Sequence, residues 1–350
     1  VPEESDALVE LLESRGGIVV GKSNTPEMGA GGNTFNEVLG RTRNPWNTTR
    51  NAGGSSGGAA ASLAAGEVWL SHGSDLAGSL RTPAAYCGIV GLRPTPGRAG
   101  GAPADLSFNT EGLQGPMART VLDTALFLDA MSGFDPMSPI SLEAPAESFQ
   151  SAVLQAEAKG VRISYSSTLN GFAPVEKEID QVLRKALLAV EGAGVRVDEG
   201  CPDLPELDST YRTLRAMMWA ALPGRLPEEI QAQYKRTLAQ NINEGRQLTI
   251  DDVYDAQRSR AALNRNMMNF LGTFDVLACP VIGLEPGLVE EEYPTDVAGE
   301  PVTDYIDWLR FSYLSTCSSL PAISIPVGFT QSGMPVGLQL IGPQRGEAKL

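Results

Sequence analysis

Residues 51–98 read NAGGSSGGAAASLAAGEVWLSHGSDLAGSLRTPAAYCGIVGLRPTPGR and contain two short turns of small residues. The first turn is GGSSGG, residues 53–58, and the second is LAGS, residues 76–79. The alanine-rich run between them predicts a helix, because alanine has the highest helix propensity. A helix between two turns holds them at a fixed separation, which a flexible linker would not do. The sequence therefore predicts a site formed by the two turns.

The second turn combines a serine hydroxyl with backbone N–H groups that can converge on one point. Gly78 reaches backbone conformations closed to other residues, so the N–H groups around it can approach a ligand closely. Such donors suit an oxyanion hole, in which one donor lowers the barrier by roughly 3 kcal/mol. The hydroxyl of Ser79 is a weak nucleophile until a base takes its proton. The turn thus predicts a nucleophilic serine that needs a base elsewhere in the protein.

The chain contains one histidine, His72, which precedes Ser79 by seven positions. It follows the apolar residues 68–70 in a run that predicts a strand, where a histidine more often packs than reacts. A Ser-His-Asp triad stays open, because its members can come from anywhere in a chain. We favour a structural role for His72 and expect the proton path to run through Ser55.

The two turns and the residues after them resemble the signature of the amidase signature family of serine hydrolases. The matching segments are residues 53–58 (GGSSGG), 73–81 (GSDLAGSLR), 83–84 (PA) and 87–95 (CGIVGLRPT). The resemblance implies an α/β fold, with α/β/α layers around a large mixed, twisted sheet. It identifies Ser79 as the nucleophile that forms the acyl-enzyme. In the family, a serine 24 positions before the nucleophile follows a cis peptide bond and bridges the nucleophile to a lysine. The resemblance identifies Ser55 as this serine.

The resemblance also implies roles for the residues around the two serines. The N–H groups of Leu76, Ala77, Gly78 and Ser79 would form the oxyanion hole, although Ala77 stands where the family commonly has glycine. Supporting roles fall to Asp75 and Arg81, which brace the loop, and to Ser56, which supports the first turn. Met28 and Gly29 lie where the family lines its acyl pocket, and substrate contact and simple loop packing are about equally expected there.

The lysine of the family's triad has no match in this sequence. In the family it lies in a strand well before a segment that resembles residues 21–24 (GKSN). The six lysines are Lys22, Lys159, Lys177, Lys185, Lys235 and Lys349. None of them has the expected context. We therefore interpret residues 1–350 as one amidase-signature domain that lacks the N-terminal segment with the lysine and the final C-terminal helix. An inactive paralogue is the alternative, and Lys22 as a substitute base is a third.

Composition excludes several classes of function. A net charge of −15 argues against direct binding of nucleic acid or of an anionic membrane. The sequence shows no 18-residue apolar run and no signal peptide. Four widely spaced cysteines without a CxxC motif indicate reduced thiols in a cytoplasmic protein, with no metal site and no cofactor. The expected partner is a small amide substrate, and a homodimer stays open.

Several secondary-structure elements can be predicted outside the signature. The predictions are a helix capped by residues 4–6 and ending at 16–17, a buried strand at 18–20, a turn at Gly115-Pro116 leading into a helix, a strand–helix–strand unit at 161–165, 175–192 and 195–197, a mainly helical region from 204 to 270, a strand at 275–280 and a closing hairpin at 320–342. Alternating strands and helices indicate a sheet covered by helices.

The predicted function is hydrolysis of the carbon–nitrogen bond of a linear carboxamide. The alternatives are the glutamine-amidase subunit of a tRNA-dependent amidotransferase, which works with partner subunits, and an inactive paralogue without the lysine.

Overall fold

The computed structural model describes residues 5–100 and 107–350. In chain order the strands are β1 (Phe35–Asn36), β2 (Gly40–Arg41), β3 (Leu70–Asp75), β4 (Val90–Arg93), β5 (Leu113–Ala118), β6 (Arg162–Tyr165), β7 (Arg196–Glu199), β8 (Val276–Pro280), β9 (Asp296–Val297), β10 (Glu300–Pro301), β11 (Ala322–Phe329) and β12 (Pro335–Ile341). The helices are α1 (Ala7–Ser14), α2 (Gly57–Ala64), α3 (Arg81–Cys87), α4 (Val121–Met131), α5 (Phe149–Leu154), α6 (Lys177–Glu191), α7 (Leu207–Ala221), α8 (Glu228–Gln231), α9 (Arg236–Gln247), α10 (Ile250–Phe270) and α11 (Tyr313–Ser318).

A mixed eight-stranded sheet forms the centre of the molecule, in the order β3-β5-β4-β11-β12-β8-β6-β7. The first six strands pair antiparallel, and β6 pairs in parallel with both β8 and β7. The pairs β1–β2 and β9–β10 form separate small hairpins. The predicted α/β fold around a large mixed sheet is confirmed.

Helices cover both faces of this sheet, as the side chains of β8 show. Successive residues of a strand point to opposite faces. Leu277 and Cys279 belong to a core that also contains Tyr211, Leu263 and Leu314 from α7, α10 and α11. Val276 and Ala278 belong to another core, which contains residues of α6. The alternation places one layer of helices on each face, so the molecule has the α/β/α layers that the family resemblance implied.

The strand–helix–strand unit β6-α6-β7 agrees with the prediction from sequence. The buried residues of α6 are Ile179, Leu183 and Leu187, spaced four apart so that they form one stripe along the helix. This stripe packs on the sheet, and the two strands pair in parallel from Arg162 opposite Arg196 to Tyr165 opposite Glu199. The predicted hairpin at 320–342 is also present as β11 and β12.

Two local predictions are wrong. Residues 18–20 form no strand, and Ile18 and Val20 are 87% and 78% exposed. A short apolar run becomes a strand only where a neighbouring strand and a covering face are available, and the described chain supplies neither there. Gly115 and Pro116 lie inside β5, not in a turn. Because β4 pairs only with Met117 and Ala118, β5 has a single neighbour at Pro116, where a missing N–H is tolerated.

The first helix begins where the sequence predicts. The Asp6 carboxylate accepts a hydrogen bond from the N–H of Leu8 at 2.9 Å and caps α1. Glu4, named as part of the predicted cap, lies outside the described residues. Across residues 5–100 and 107–350, no helix combines the length and the apolar character needed to cross a bilayer.

Candidate active site

The two small-residue turns meet at the amino-terminal ends of α2 and α3. The first turn leads into α2 at Gly57, and the second connects the end of β3 at Asp75 with the start of α3 at Arg81. The N–H of Ser56 donates to the carbonyl oxygen of Ser79 at 3.3 Å. The backbones of the predicted nucleophile and of the predicted bridging turn are therefore in direct contact.

Ser56 joins the two turns a second time through its side chain. Its hydroxyl donates to the carbonyl oxygen of Ser74 at 3.3 Å and accepts the N–H of Ser74 at 3.2 Å. A Cβ placed on Gly73 would lie 2.3 Å from Ser56 Oγ, so glycine at that position lets the turn approach the strand. This arrangement gives Ser56 the supporting place that the resemblance implied.

The peptide bond between Gly54 and Ser55 is cis. The resemblance implied a cis bond at this serine. Ser55 is 4% exposed and Ser79 is 8% exposed, so both residues are almost completely buried. Among the described residues, neither hydroxyl forms a hydrogen bond with another protein group, and no direct bond joins the two. Both hydroxyls are therefore available to a substrate or to a base.

The loop from Leu76 to Ser79 has a geometry that corrects one predicted donor. Gly78 has a φ of +83°, a conformation that favours glycine. Its N–H donates to Asp75 Oδ1 at 3.0 Å, so this donor is occupied and does not face a ligand as predicted. The N–H groups of Leu76, Ala77 and Ser79 have no acceptor within the described part of the chain. These three groups are the remaining candidates for an oxyanion hole.

Asp75 and Arg81 form a fully buried ion pair behind the loop. Arg81 Nη2 lies 2.8 Å from Asp75 Oδ1, and Arg81 Nε lies 2.9 Å from Oδ2. Burial raises the pKa of the Asp75 carboxyl, but the guanidiniums of Arg81 and Arg93 and the N–H of Leu80 outweigh it and lower the pKa below its usual value. The carboxylate stays charged and accepts the N–H groups of the loop.

Arg93 is a site residue that the sequence analysis missed. Its Nη1 donates to the carbonyl oxygen of Asp75 and, at 2.8 Å, to that of Glu111. Its guanidinium also lies 3.6 Å from Asp75 Oδ1, and both side chains are fully buried. Because an arginine in the strand sequence VGLR carries no sign of what it contacts, its role could be found only from the folded chain.

Among the described interactions, none of the remaining candidates for the base contacts Ser79. His72 sits in the middle of β3, and burial lowers the pKa of its imidazole below the usual value. Lys22 is exposed, and Lys235 Nζ is paired with Glu292 at 2.7 Å. In the part of the chain that the structure describes, no lysine forms a hydrogen bond with Ser55.

Met28 and Gly29 lie in a short 3₁₀ segment, Glu27–Gly29, and are exposed. The residues that follow them reach the first turn, because a Cβ on Gly54 would lie 2.6 Å from the carbonyl oxygen of Gly31. The structure therefore brings this loop against the bridging turn. Direct contact between Met28 or Gly29 and Ser79 is absent from the described interactions.

No cluster of three or more potential metal ligands occurs among residues 5–100 and 107–350.

The mixed α/β/α fold with two serine-bearing turns fits a hydrolase, and the similarity of the chain to known proteins identifies its family. The family model described as Amidase matches residues 1–350, and the chain belongs to this family of amide hydrolases. An acylamidase from Rhodococcus erythropolis is 35% identical over 351 residues, which cover 97% of this chain and 72% of the acylamidase. A glutamyl-tRNA(Gln) amidotransferase subunit from Thermosynechococcus vestitus is 33% identical over 375 residues, covering 100% of this chain and 76% of that protein.

Solved structures agree with this assignment. A bacterial aryl acylamidase of the amidase signature family superposes with a TM-score of 0.92 at 28% identity, covering 100% of this chain and 74% of that enzyme. A 6-aminohexanoate cyclic dimer hydrolase superposes with a TM-score of 0.89 at 27% identity, covering 99% of this chain and 76% of the hydrolase.

Proposed function

We propose that the protein cleaves the carbon–nitrogen bond of a linear carboxamide through an acyl-enzyme on Ser79. The observation that carries this proposal is the direct contact between the turn that holds Ser55 and the loop that holds Ser79. Among the described residues, the two buried serine hydroxyls and the N–H groups of Leu76, Ala77 and Ser79 have no protein partner, which supports their roles as nucleophile, proton relay and oxyanion site. The acylamidase and aryl acylamidase relatives support an amide as the substrate.

The reaction follows from the roles of these groups. A neutral lysine amine takes a proton from the Ser55 hydroxyl, which takes one from Ser79, and Ser79 Oγ bonds to the carbonyl carbon. The carbonyl π electrons move to the oxygen, where the N–H groups of Leu76, Ala77 and Ser79 stabilise the charge. Collapse breaks the C–N bond, and the amine leaves with the returned proton. Water then attacks the acyl group, which releases the carboxylic acid and restores the Ser79 hydroxyl.

We propose that the lysine base lies outside residues 1–350 and that these residues form one amidase-signature domain without that segment. The interactions of Lys22 and Lys235 support this proposal, because Lys22 is exposed, Lys235 is paired with Glu292, and neither forms a hydrogen bond with Ser55 in the part of the chain that the structure describes. Lys22→Ala and Lys235→Ala are therefore expected to leave the reaction rate of Ser79 unchanged. A large loss of rate in Lys22→Ala would instead make Lys22 the base.

Labelling with a fluorophosphonate probe tests the two serines. In the intact protein, Ser79→Ala is expected to abolish labelling, because the nucleophile is removed. Ser55→Ala is expected to slow labelling by about 100-fold or more, since general base catalysis typically contributes 10²–10⁴-fold. Ser74→Ala is a matched control, because Ser74 is exposed and bonds Ser56 only through its backbone, and it is expected to label at close to the normal rate. Equal labelling of the Ser79→Ala variant would reject the assignment of the nucleophile.

A second candidate function is the glutaminase subunit of a tRNA-dependent amidotransferase. The match to the amidotransferase protein over the whole chain favours it. The net charge of −15 means that a partner subunit would have to bind the tRNA. Hydrolysis of simple amides by the protein alone, without stimulation by a partner, would favour the amidase. Activity confined to glutamine in the presence of a partner would favour the amidotransferase role.

We also propose a cytoplasmic location. The proposal rests on the four free cysteines, Cys87, Cys201, Cys279 and Cys317, because oxidising compartments favour disulfides. Fractionation of cells followed by immunodetection tests it.

A further inference from the structure

The turn that carries Ser55 is held by Thr34, a fully buried residue from another segment of the chain. The Thr34 hydroxyl donates to the carbonyl oxygen of Gly53 at 2.8 Å, and the carbonyl oxygen of Ser55 lies 3.3 Å from it. The same hydroxyl accepts the N–H of Gly57 at 3.1 Å. One side chain therefore contacts the backbone on both sides of the cis Gly54–Ser55 bond.

Thr34 bonds the first N–H group of α2, whose own N-cap side chain makes no capping bond. The first N–H groups of an α-helix have no partner inside the helix, and the N-cap side chain normally accepts one of them. Ser56 occupies the N-cap of α2, but its side chain makes no capping bond because it is engaged with Ser74. Thr34 accepts the N–H of Gly57, the first residue of α2, so the helix start and the turn both contact this hydroxyl.

The position of Thr34 is itself fixed by its neighbours. Its carbonyl oxygen accepts the N–H of Thr42 at 2.9 Å. The preceding residue, Asn33, donates through Nδ2 to the carbonyl oxygen of Glu291 at 2.6 Å. The contact with the turn is close, since a Cβ on Gly57 would lie 2.4 Å from Thr34 Oγ1. Thr34 is thus a rigid support against which the turn is fitted.

We propose that Thr34 is a positioning residue that sets the place of Ser55 on the proton path to Ser79. This inference rests on the proposed function, because it assigns Thr34 a role only if Ser55 relays a proton. Among the described residues, the Thr34 hydroxyl bonds only backbone groups of the turn and neither the Ser55 nor the Ser79 hydroxyl. It acts through the carbonyl oxygen of Gly53 and the N–H of Gly57, which flank the serine. A displacement of about 1 Å at a reacting group can cost about 100-fold in rate, so loss of the support is expected to affect catalysis strongly.

Two substitutions at Thr34 and one control test this role. Thr34→Val keeps the shape but removes the hydroxyl, and Thr34→Ser keeps the hydroxyl. Thr124→Val is the control, because Thr124 is also buried and donates one backbone bond, to the carbonyl oxygen of Thr120 at 2.8 Å. We expect Thr34→Val to lower both the labelling rate and kcat by about 10- to 100-fold with KM within about threefold. Thr34→Ser and Thr124→Val should stay within about threefold of the natural protein in both measurements.

A double substitution separates a positioning role from a general loss of stability. In the Ser55→Ala background, Thr34→Val is expected to cause less than about a threefold further loss, because its effect passes through Ser55. If Thr34→Val does not fold, Gly57→Ala displaces the same contact and is expected to give the same loss of kcat. An equal loss in both backgrounds, or a Thr34→Val rate equal to that of Thr124→Val, would overturn the proposal. If the natural protein were not labelled at Ser79 at all, the proposed function itself would fail first.

Discussion

Asp75 is the residue on which the shape of the nucleophile loop depends. Its carboxylate accepts the N–H groups of Gly78 at 3.0 Å and Leu80 at 3.2 Å, in addition to two bonds from Arg81. Each donor is buried, so a donor left without an acceptor would cost the full desolvation free energy of its N–H group. A buried charge therefore fixes the loop that carries Ser79.

Asp75→Asn is expected to lower the free energy of unfolding by about 3–5 kcal/mol at pH 7, because it leaves the Arg81 charge without its partner. Since the folded pKa of Asp75 lies below the usual value of 3.8, its contribution is fully present above about pH 4 and is lost as the pH falls through the folded pKa. In urea unfolding between pH 3 and 7, the free energy of unfolding of the variant should therefore decrease less steeply toward acid pH than that of the natural protein.

Asp255→Asn is the control for this prediction. Asp255 also pairs with an arginine, Arg258, but both side chains are mostly exposed. An exposed pair contributes about 0–1 kcal/mol, so little change is expected. Equal effects at Asp75 and Asp255 would contradict the structural role of the buried pair.

The residues of the site differ in how far the sequence could reveal them. Ser55, Ser79 and the pair Asp75–Arg81 stand inside one recognisable stretch, so they could be named from the sequence. Thr34 could not, because its contact with Gly57 spans 23 positions and a threonine in a loop carries no pattern of its own. The family resemblance implied the Gly78 N–H as an oxyanion donor, whereas its hydrogen bond to the Asp75 carboxylate is visible only in the structure.

At the scale of elements, local pattern decided which predictions were confirmed. The helix α6 has a strong apolar stripe and flanking strands, so its own residues specify it. The apolar residues 18–20 and the strand β5 depend on which neighbours are present, and that information lies elsewhere in the chain. An element whose burial depends on distant partners cannot be predicted from a short window.

The stripe on α6 gives a matched pair of leucine substitutions. Leu183 is fully buried and Leu188 is 68% exposed on the same helix. Leu183→Ala is expected to lower the free energy of unfolding by about 2–5 kcal/mol, because it leaves a cavity in the core. Leu188→Ala should change it by less than about 0.5 kcal/mol. Denaturant unfolding measures both, and equal losses would show that α6 does not pack as described.

On the scale of the whole molecule, the site is assembled from segments far apart in the chain. Arg81 donates to Ser315 Oγ at 2.8 Å and to Gln339 Oε1, so α3 is fixed by α11 and β12. Asn51, just before the first turn, donates its N–H to the carbonyl oxygen of Gly287 at 3.0 Å. The central sheet and its helices act as the support for two short turns, and their relative position is a property of the entire fold.

The proposed function requires that Ser79 becomes acylated during turnover. The most direct measurement is rapid acid quenching of the intact protein with a chromogenic ester or anilide, followed by peptide mass spectrometry. We expect an adduct with the mass of the acyl group on the peptide that contains Ser79, and none in Ser79→Ala. Turnover of the substrate with the adduct on another residue, or with no dependence on Ser79, would contradict it.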